Sequence, residues 1–270
     1  MKRVLAVTLC LLLTSVIVGL NAMQSGAPTA AGNSEPPTCG ILVELFTSEG
    51  CSSCPPADEL LRKLDSIRSI ANNQIVVLGE HVDYWDGTGW RDRFSSREYT
   101  ERQAEYARRL SVPDPYTPQI VVDGKQQVSG NNVQSLQAAL QAAATEAKSS
   151  ISILSADLDG NNLILKLKTS PLPQGRKRGD LYVAVADNSD ETQVRGGENS
   201  GRALKHVAVL RSLQKVAKVG PEGFEKDVNL RLSKDLEKNN LRVVAFVQES
   251  GNGRVLGSTV RVLSQTTATR

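Results

Sequence analysis

The sequence predicts an α/β domain, a mixed sheet with flanking helices, followed by an all-β, sandwich-like domain. Two observations carry this prediction. Between residues 41 and 147, short apolar runs alternate with segments in which apolar residues recur at helical spacing. Between residues 151 and 263, seven apolar segments are separated by polar turns. The predicted domains are therefore 38–149 and 150–270.

The composition is that of an ordinary globular protein. Of the 270 residues, 40% are hydrophobic and 23% are charged, which excludes collagen-like, wholly disordered and multi-span membrane proteins. Lys2 and Arg3 account for two of the net charge of +3 and leave +1 for the rest of the chain. Because nucleic-acid binding needs a strongly basic surface, we expect no nucleic-acid partner.

The N-terminus has the pattern of an export signal. Lys2 and Arg3 precede an apolar, uncharged run over 4–20, which predicts a signal peptide at 1–22. Residues 23–37 are rich in small and turn-forming residues and are expected to form a flexible tether. The apolar run is slightly short for a membrane-spanning helix, so membrane attachment is expected only through an uncleaved leader. The predicted location is the periplasm or the extracellular space.

The elements of the first half follow from local patterns. A buried strand is predicted at 41–46, and two prolines then open a helix in which Leu60, Leu64, Ile67 and Ala71 share one face. The remaining elements are a parallel strand at 75–78, a helix at 96–110, strands at 120–122 and 126–129 joined by the turn Asp123-Gly124, and a helix at 133–147. The predicted order is β-α-β-α-β-β-α.

The second half is predicted to contain strands only. Each apolar segment ends at polar or turn-forming residues. The seven predicted strands are 151–158, 163–168, 181–186, 206–219, 224–232, 241–248 and 255–263.

Cysteines point to a redox site. Three cysteines follow the predicted leader, Cys39, Cys51 and Cys54, and disulfides persist outside the cytoplasm. Cys51 and Cys54 form a C-S-S-C motif between a strand and a helix, whose positive N-terminus favours a thiolate. Cys51 is expected to be the attacking sulfur and Cys54 the resolving one. Cys39 is expected to form no disulfide with Cys51 or Cys54.

Further candidates for the site lie on either side of the predicted second helix. Pro118 precedes a buried strand, where thioredoxin-like folds place a cis proline beside the active cysteines, and the Thr117 backbone could pair with an extended substrate. In the loop at 82–94, Tyr84, Trp85 and Trp90 are expected either to line a substrate groove or to form a lid packed on the sheet.

The remaining polar candidates have structural alternatives. His81 is expected either to accept a proton or ligate a metal, or to be a structural residue at the end of a strand. Asp83, Asp86 and Asp92 are expected to cap the turns of the loop, the alternative being a cation site. His206 is expected to pack structurally at the start of a strand.

Long motifs in this chain resemble those of domain-of-unknown-function family 1223, a family of exported thioredoxin-like proteins. The motifs are Glu44–Asp58, His81–Asp86 with Gly89-Trp90, Tyr116–Gln119 with Val121–Gly124, and Glu198–Gly201 through Leu204–His206. The resemblance extends from about Ile41 to Leu263. It implies a thioredoxin-like fold and a redox site at Cys51 and Cys54. Glu49 departs from the family pattern, in which Gln is more frequent, and it adds negative charge near Cys51.

Three functions are compatible with these features. The first is an exported thiol–disulfide oxidoreductase that acts on protein or small thiol and disulfide substrates without a cofactor. The second is a secreted binding module in which Cys51 and Cys54 form a static disulfide. The third is a copper or zinc carrier that uses the two thiols, for which the motif lacks a complete ligand set, so no metal ligand is assigned.

Overall fold

A computed structural model of the chain describes residues 39–263, and the predicted signal peptide and tether lie outside this range. The strands are β1 (Cys39–Thr47), β2 (Ser69–Ile70), β3 (Asn73–His81), β4 (Gln119–Val122), β5 (Gln126–Ser129), β6 (Ile151–Asp159), β7 (Asn162–Thr169), β8 (Gly179–Gln193), β9 (Ala203–Val219), β10 (Phe224–Arg231), β11 (Leu241–Gln248) and β12 (Val255–Val262). The helices are α1 (Pro55–Ile67), α2 (Arg97–Arg109), α3 (Val133–Ala144) and a 3-10 helix at Lys238–Asn240.

Most strands belong to one mixed sheet with the order β12-β11-β8-β9-β3-β1-β4-β5, and β2 pairs with β3 beside this path. The pairs β1–β3 and β3–β9 are parallel, and the other pairs in this sheet are antiparallel. The second sheet has three antiparallel strands in the order β10-β7-β6. Within residues 39–263, no helix combines the length and the apolar content that crossing a bilayer requires.

The structure differs from the predicted pair of separate domains. Strands β8, β9, β11 and β12, which lie beyond the predicted boundary at 149–150, continue the sheet that β1 and β3 begin. The contact is made where Gly79 of β3 pairs with Val209 of β9. Both predicted domains accordingly fall in one compact unit. Strand periodicity identifies the strands but does not show which strands pair across the sheet.

The sandwich-like packing involves both sheets. Along β7, alternate residues are buried, with Leu163, Leu165 and Leu167 facing inward. These side chains belong to one apolar cluster with Val183 of β8 and Val243 of β11. The three-stranded sheet therefore packs on the part of the large sheet that β8, β9, β11 and β12 form, and this cluster contains residues of the second half only.

The three helices lie on opposite faces of the large sheet. Ile41, Val43 and Leu45 of β1 cluster with residues of α1 and α3. The intervening Leu42 clusters instead with Tyr99 of α2. Because successive strand residues point to opposite faces, α2 lies on the face opposite to α1 and α3.

Helix α1 is shorter than predicted and buries a different face. It ends at Ile67, and Arg68 adopts a left-handed conformation with a φ of 63°. Ile67 is 59% exposed, whereas Leu61 and Leu64 are buried. Ala71 lies beyond the helix, directly after β2, and also has a positive φ. The predicted buried face was Leu60, Leu64, Ile67 and Ala71. The buried face of α1 instead includes Leu61 and Leu64, and Ile67 and Ala71 are exposed.

Replacing Gly40 with Ala is expected to lower the free energy of unfolding by about 1–3 kcal/mol, the usual cost of overpacking a core. The added Cβ would lie 2.2 Å from the backbone oxygen of Ser258, so β1 and β12 would have to separate. Gly87→Ala is the control, because a Cβ there has no atom within 4 Å. Urea unfolding of both variants measures the difference, and equal stabilities would contradict this close contact.

Candidate functional site

The predicted cysteine pair forms a disulfide at the start of α1. Cys51 and Cys54 are bonded, with their Cα atoms 5.4 Å apart. Cys54 is the N-cap residue of α1, and its carbonyl oxygen accepts hydrogen bonds from the amides of Ala57 (2.8 Å) and Asp58 (3.1 Å). The third cysteine, Cys39, is free, and its sulfur lies 3.7 Å from the carbonyl oxygen of Lys148.

Both sulfur-bearing residues are inaccessible to solvent. Cys51 and Cys54 are 0% exposed, whereas Ser52 and Ser53 between them are exposed. The Ser53 hydroxyl lies 3.3 Å from Cys51 Sγ, and only the hydroxyl can donate because the sulfur is in a disulfide. A reactant that attacks either sulfur must therefore first displace part of the protein.

The structure brings Pro118 next to the first turn of α1. The Thr117–Pro118 peptide bond is cis, as expected from its position before β4. Pro118 is buried, and its carbonyl oxygen accepts a hydrogen bond from the amide of Gly130. A Cβ at Gly130 would lie 2.8 Å from Pro118 Cβ and 2.9 Å from Ala57 Cβ. Pro118, Gly130 and Ala57 therefore meet in one close contact.

The two tryptophans of the loop at 82–94 contact different parts of the site, one beside Pro118 and one beside the CxxC motif. Trp85 donates a hydrogen bond from Nε1 to Thr117 Oγ1 (2.8 Å), so these two predicted groove residues are joined. Trp90 donates from Nε1 to Glu49 Oε2 (2.7 Å). Tyr84 is 43% exposed and donates to Gln103 on α2 (3.2 Å). The loop thus packs on the protein, and its most exposed ring is that of Tyr84.

A cluster of buried titratable side chains lies beside the CxxC segment. We call it the buried charge cluster, and its members are Glu49, Asp58, His81, Asp92 and His206. His206 Nε2 lies 3.6 Å from Glu49 Oε1, and its Nδ1 lies 3.8 Å from Asp58 Oδ1. The rings of His206 and His81 are edge to face with centroids 4.8 Å apart. Glu49 precedes Cys51 by two residues and Asp58 follows Cys54 by four, so His206 joins both ends of the CxxC segment.

The charges of this cluster compensate one another. Burial acts to lower the pKa of His206, but Asp58 and Glu49 raise it to about 10, so the imidazole is charged at neutral pH. Burial acts to raise the pKa of Glu49, and His206 counteracts this and keeps the pKa below its ordinary value. The negative charge of Glu49, expected to disfavour a thiolate at Cys51, therefore has a buried counterion.

Asp92 anchors the loop through both oxygens. It contacts His81 Nδ1 (2.6 Å) and accepts hydrogen bonds from the amides of Glu49 (2.8 Å) and Phe94 (2.9 Å). Burial acts to raise the pKa of Asp92, and His81 and these amides together lower it to about 2. His81 is thus bound to a carboxylate, not presented to solvent.

The other two loop aspartates bind within the same region. Asp83 accepts a hydrogen bond from the Thr100 hydroxyl, and Asp86 accepts from the Asp92 amide and the Ser95 hydroxyl. In the part of the chain that the structure describes, no group of three or more His, Cys, Asp or Glu side chains could hold a metal ion.

Two residues at the site were not singled out individually by the sequence analysis. Asn199 donates hydrogen bonds to the carbonyl oxygens of Glu49 and Cys51, both at 2.9 Å. Glu198 accepts one from the Ser52 amide at 3.1 Å. Both follow the cysteines by more than 140 residues, so spacing could not connect them to the motif. The signal available was the stretch from Glu198 to His206 that takes part in the family resemblance.

Comparison with known proteins identifies a family and a solved structure with a similar fold. The model of the family described as "Protein of unknown function (DUF1223)" matches residues 42–248. The chain is similar to the solved structure of protein AGR_C_4864 from Agrobacterium tumefaciens, with 27% identity and a TM-score of 0.66, over 84% of this chain and 95% of that one. No curated protein matches the chain.

Weaker similarities cover less than half of the chain. A domain of the outer membrane lipoprotein Omp28 from Porphyromonas gingivalis has 16% identity and a TM-score of 0.29, over 44% of this chain and 97% of that one. OgpA from Akkermansia muciniphila has 10% identity and a TM-score of 0.26, over 43% of this chain and 27% of that one. These similarities are too low to bear on the function.

Proposed function

The chain belongs to the DUF1223 family, as its motifs predict, and we propose that it is an exported thiol–disulfide oxidoreductase that reacts through Cys51 and Cys54. The observation that carries the proposal is the disulfide at the N-terminus of α1. Only two residues separate the cysteines, so the bond restrains little of the unfolded chain and adds less stability than a bond across a long loop. The position of this bond therefore favours disulfide exchange over a role in stabilising the fold.

The surrounding topology supports a thioredoxin-like fold as part of this proposal. Strands β3-β1-β4-β5 are consecutive in the sheet, β1 and β3 are parallel, and α1 connects them. Strands β4 and β5 form the antiparallel side, with Pro118 directly before β4. The CxxC motif thus opens the helix of a β-α-β unit, the context that is typical of redox pairs.

The proposed reaction is two successive thiolate–disulfide exchanges. A substrate thiolate attacks Cys51 Sγ, the Cys51–Cys54 bond breaks, and Cys54 leaves as a thiolate that then takes up a proton. A second substrate thiol attacks the substrate sulfur of the mixed disulfide, forms a substrate disulfide and releases Cys51. The protein is reduced by two electrons and the substrate dithiol is oxidised. The opposite direction uses the same steps in reverse.

Local charge supports a labile pair. The N-terminus of α1 supplies partial positive charge beside Cys54, which favours the thiolate released there. The imidazolium of His206 offsets the carboxylate of Glu49 on the other side of the motif. Pro55 and Pro56 occupy the first turn of α1, so the amides available to a thiolate belong to earlier residues.

The reduction potential of the Cys51–Cys54 pair is expected to lie above about −270 mV, the range of exchange-competent disulfides. The protein would be equilibrated with reduced and oxidised glutathione, alkylated and analysed by mass. A value below about −300 mV, typical of structural disulfides, would overturn the proposal. Cys39→Ser in the same buffers controls for mixed disulfides at the third thiol.

Cys54→Ser is expected to trap a mixed disulfide at Cys51. With oxidised glutathione, Cys51 would bond one glutathione and release the other, and the product would persist because the resolving thiol is absent. Cys51→Ser is the matched variant and is expected to leave Cys54 unmodified. Equal modification of both variants, measured by peptide mass mapping, would contradict the assigned roles.

The burial of the cysteines favours a second candidate, a secreted binding module with a static disulfide. Both residues are 0% exposed, as is usual for a structural bond. The potential separates the two candidates, because a static bond is expected below about −300 mV. Under the first candidate the partners are protein or small thiol and disulfide substrates, and the location is periplasmic or extracellular.

A further inference from the structure

A short loop from the second half of the chain lies on the CxxC segment. This loop, residues 194–202, connects β8 to β9 and contains Gly196, Gly197 and Gly201. Its base is closed by two hydrogen bonds, from the Val194 amide to the Arg202 carbonyl (3.0 Å) and from the Gly201 amide to the Val194 carbonyl (2.8 Å). A loop closed at its base can move as one body relative to the site.

Asn199 attaches this loop to the CxxC segment. Its side chain is fully buried, and its Nδ2 donates to the carbonyl oxygens of Glu49 and Cys51. Its Oδ1 accepts a hydrogen bond from Arg202 (2.9 Å) within the loop. Both amide protons are thus used on the motif, and Arg202 orients the amide.

Three further contacts hold the loop against the site. Glu198 accepts the hydrogen bond of the Ser52 amide, between the two cysteines. On the side of the aromatic loop, a Cβ at Gly196 would lie 2.4 Å from the Gly89 carbonyl oxygen, and one at Gly197 would lie 3.1 Å from Trp90 Cβ. The loop therefore closes against both the cysteine motif and the aromatic residues beside it.

We propose that Asn199 is a positioning residue that holds loop 194–202 closed over the disulfide, so that exchange occurs only when the loop is released. A thiolate or another nucleophile must reach a sulfur atom to displace its partner, and neither cysteine is exposed. The loop is bonded to the backbone of Glu49, Cys51 and Ser52, and Asp92 and Asn131 bond the backbone of Glu49 and Ser53 from other segments. This inference concerns the regulation of the proposed exchange site and rests on that proposed function.

Asn199→Ala is expected to accelerate reduction of the native disulfide at least tenfold. The probe is tris(2-carboxyethyl)phosphine, which with one water converts the disulfide to two thiols and is itself oxidised to the phosphine oxide. The rate would be followed by alkylation and mass at increasing phosphine concentration. Ser200→Ala, at an exposed position of the same loop, is the matched control and is expected to match the wild type within twofold.

Glu198→Ala tests the same loop without removing a buried group. Glu198 is exposed, so this variant is expected to fold, and its reduction is expected to be several-fold faster than that of the wild type. Hydrogen exchange along the buried strand β11 separates loop release from global unfolding. Release of the loop accelerates reduction and leaves the exchange of β11 amides unchanged.

Equal reduction rates for the wild type, Asn199→Ala and Glu198→Ala would overturn the gate. Faster reduction accompanied by equally faster exchange in β11 would also overturn it, because general destabilisation would then account for the rate. These outcomes are independent of the test of function. The phosphine rate reports access to the sulfurs even when the reduction potential is that of a structural bond, and an exchange-competent potential is compatible with an ungated site.

Discussion

Replacing Arg102 with Met is expected to lower the free energy of unfolding by about 3–5 kcal/mol, since removing one partner of a buried ion pair leaves an uncompensated charge. Arg102 on α2 is 5% exposed. It donates from Nε to Glu44 Oε1 (2.8 Å), and its Nε also lies 3.7 Å from Glu80 Oε1. The variant leaves these two buried carboxylates without their cation.

Arg102 also forms hydrogen bonds that connect the two halves of the chain. Its guanidinium donates to Asn252 (2.9 Å) and Gln248 (3.3 Å), which follow or end β11. One cation serves two carboxylates there. Burial, with Glu44 nearby, raises the pKa of Glu80 well above its ordinary value. The Met variant therefore removes bonds between the first and second halves as well as a charge.

Arg97→Met is the control for this experiment. Arg97 begins the same helix and pairs with Glu101, but its side chain is 83% exposed, and exposed pairs of this kind contribute about 0.5 kcal/mol or less. Urea unfolding at pH 7 would measure both variants. An Arg102→Met protein within about 1 kcal/mol of the wild type would show that the site reorganises without its cation.

The stability contributed by His206 is expected to disappear as the pH rises from about 6.5 to about 10. The pKa of His206 is about 10 in the folded protein and near 6.5 in the unfolded chain, so the folded state binds the proton more tightly. The contribution is complete below pH 6.5. It decreases by at most about 1.4 kcal/mol per pH unit within this window.

Comparison with His206→Gln isolates this effect. The wild type is expected to exceed the variant in free energy of unfolding at pH 6, and the difference is expected to shrink at pH 7.5 and again at pH 9. Lys205→Gln, at the neighbouring exposed position of β9, is expected to show a difference from the wild type that is constant over the same range. A constant difference for His206→Gln would contradict a buried imidazolium between Glu49 and Asp58.

Local sequence features predicted the cysteine pair. The strand before Cys51, the prolines after Cys54 and the apolar spacing beyond them indicate a strand–helix junction, and the structure contains the disulfide there. The length of α1 was overestimated, because the chain turns through the left-handed residue Arg68 before Ala71 can join the helix. Nothing in the spacing of apolar residues requires that turn.

For some long-range contacts, the sequence indicates that a partner is needed but does not identify it. Glu44 interrupts an otherwise apolar strand, and a carboxylate in a buried strand requires a partner. The partner, Arg102, lies 58 residues away on α2, so the spacing of residues along the chain does not connect the two. Asn199 lies 148 residues from Cys51, and its role depends on a loop that crosses the motif only in the folded chain.

The sequence alone determined most strand and helix positions, the cysteine pair, the proline before β4 and the family, since each depends on residues that are close together in the chain, but it missed β2 and the 3-10 helix at Lys238–Asn240. Tertiary structure decided that the two halves share one sheet, that His206 is the counterion of Glu49 and Asp58, and that Asn199 bonds loop 194–202 to the CxxC segment. The physical reason is that periodicity and turn chemistry act over a few residues. Pairing of strands and burial of charges depend instead on which distant surfaces exclude water together.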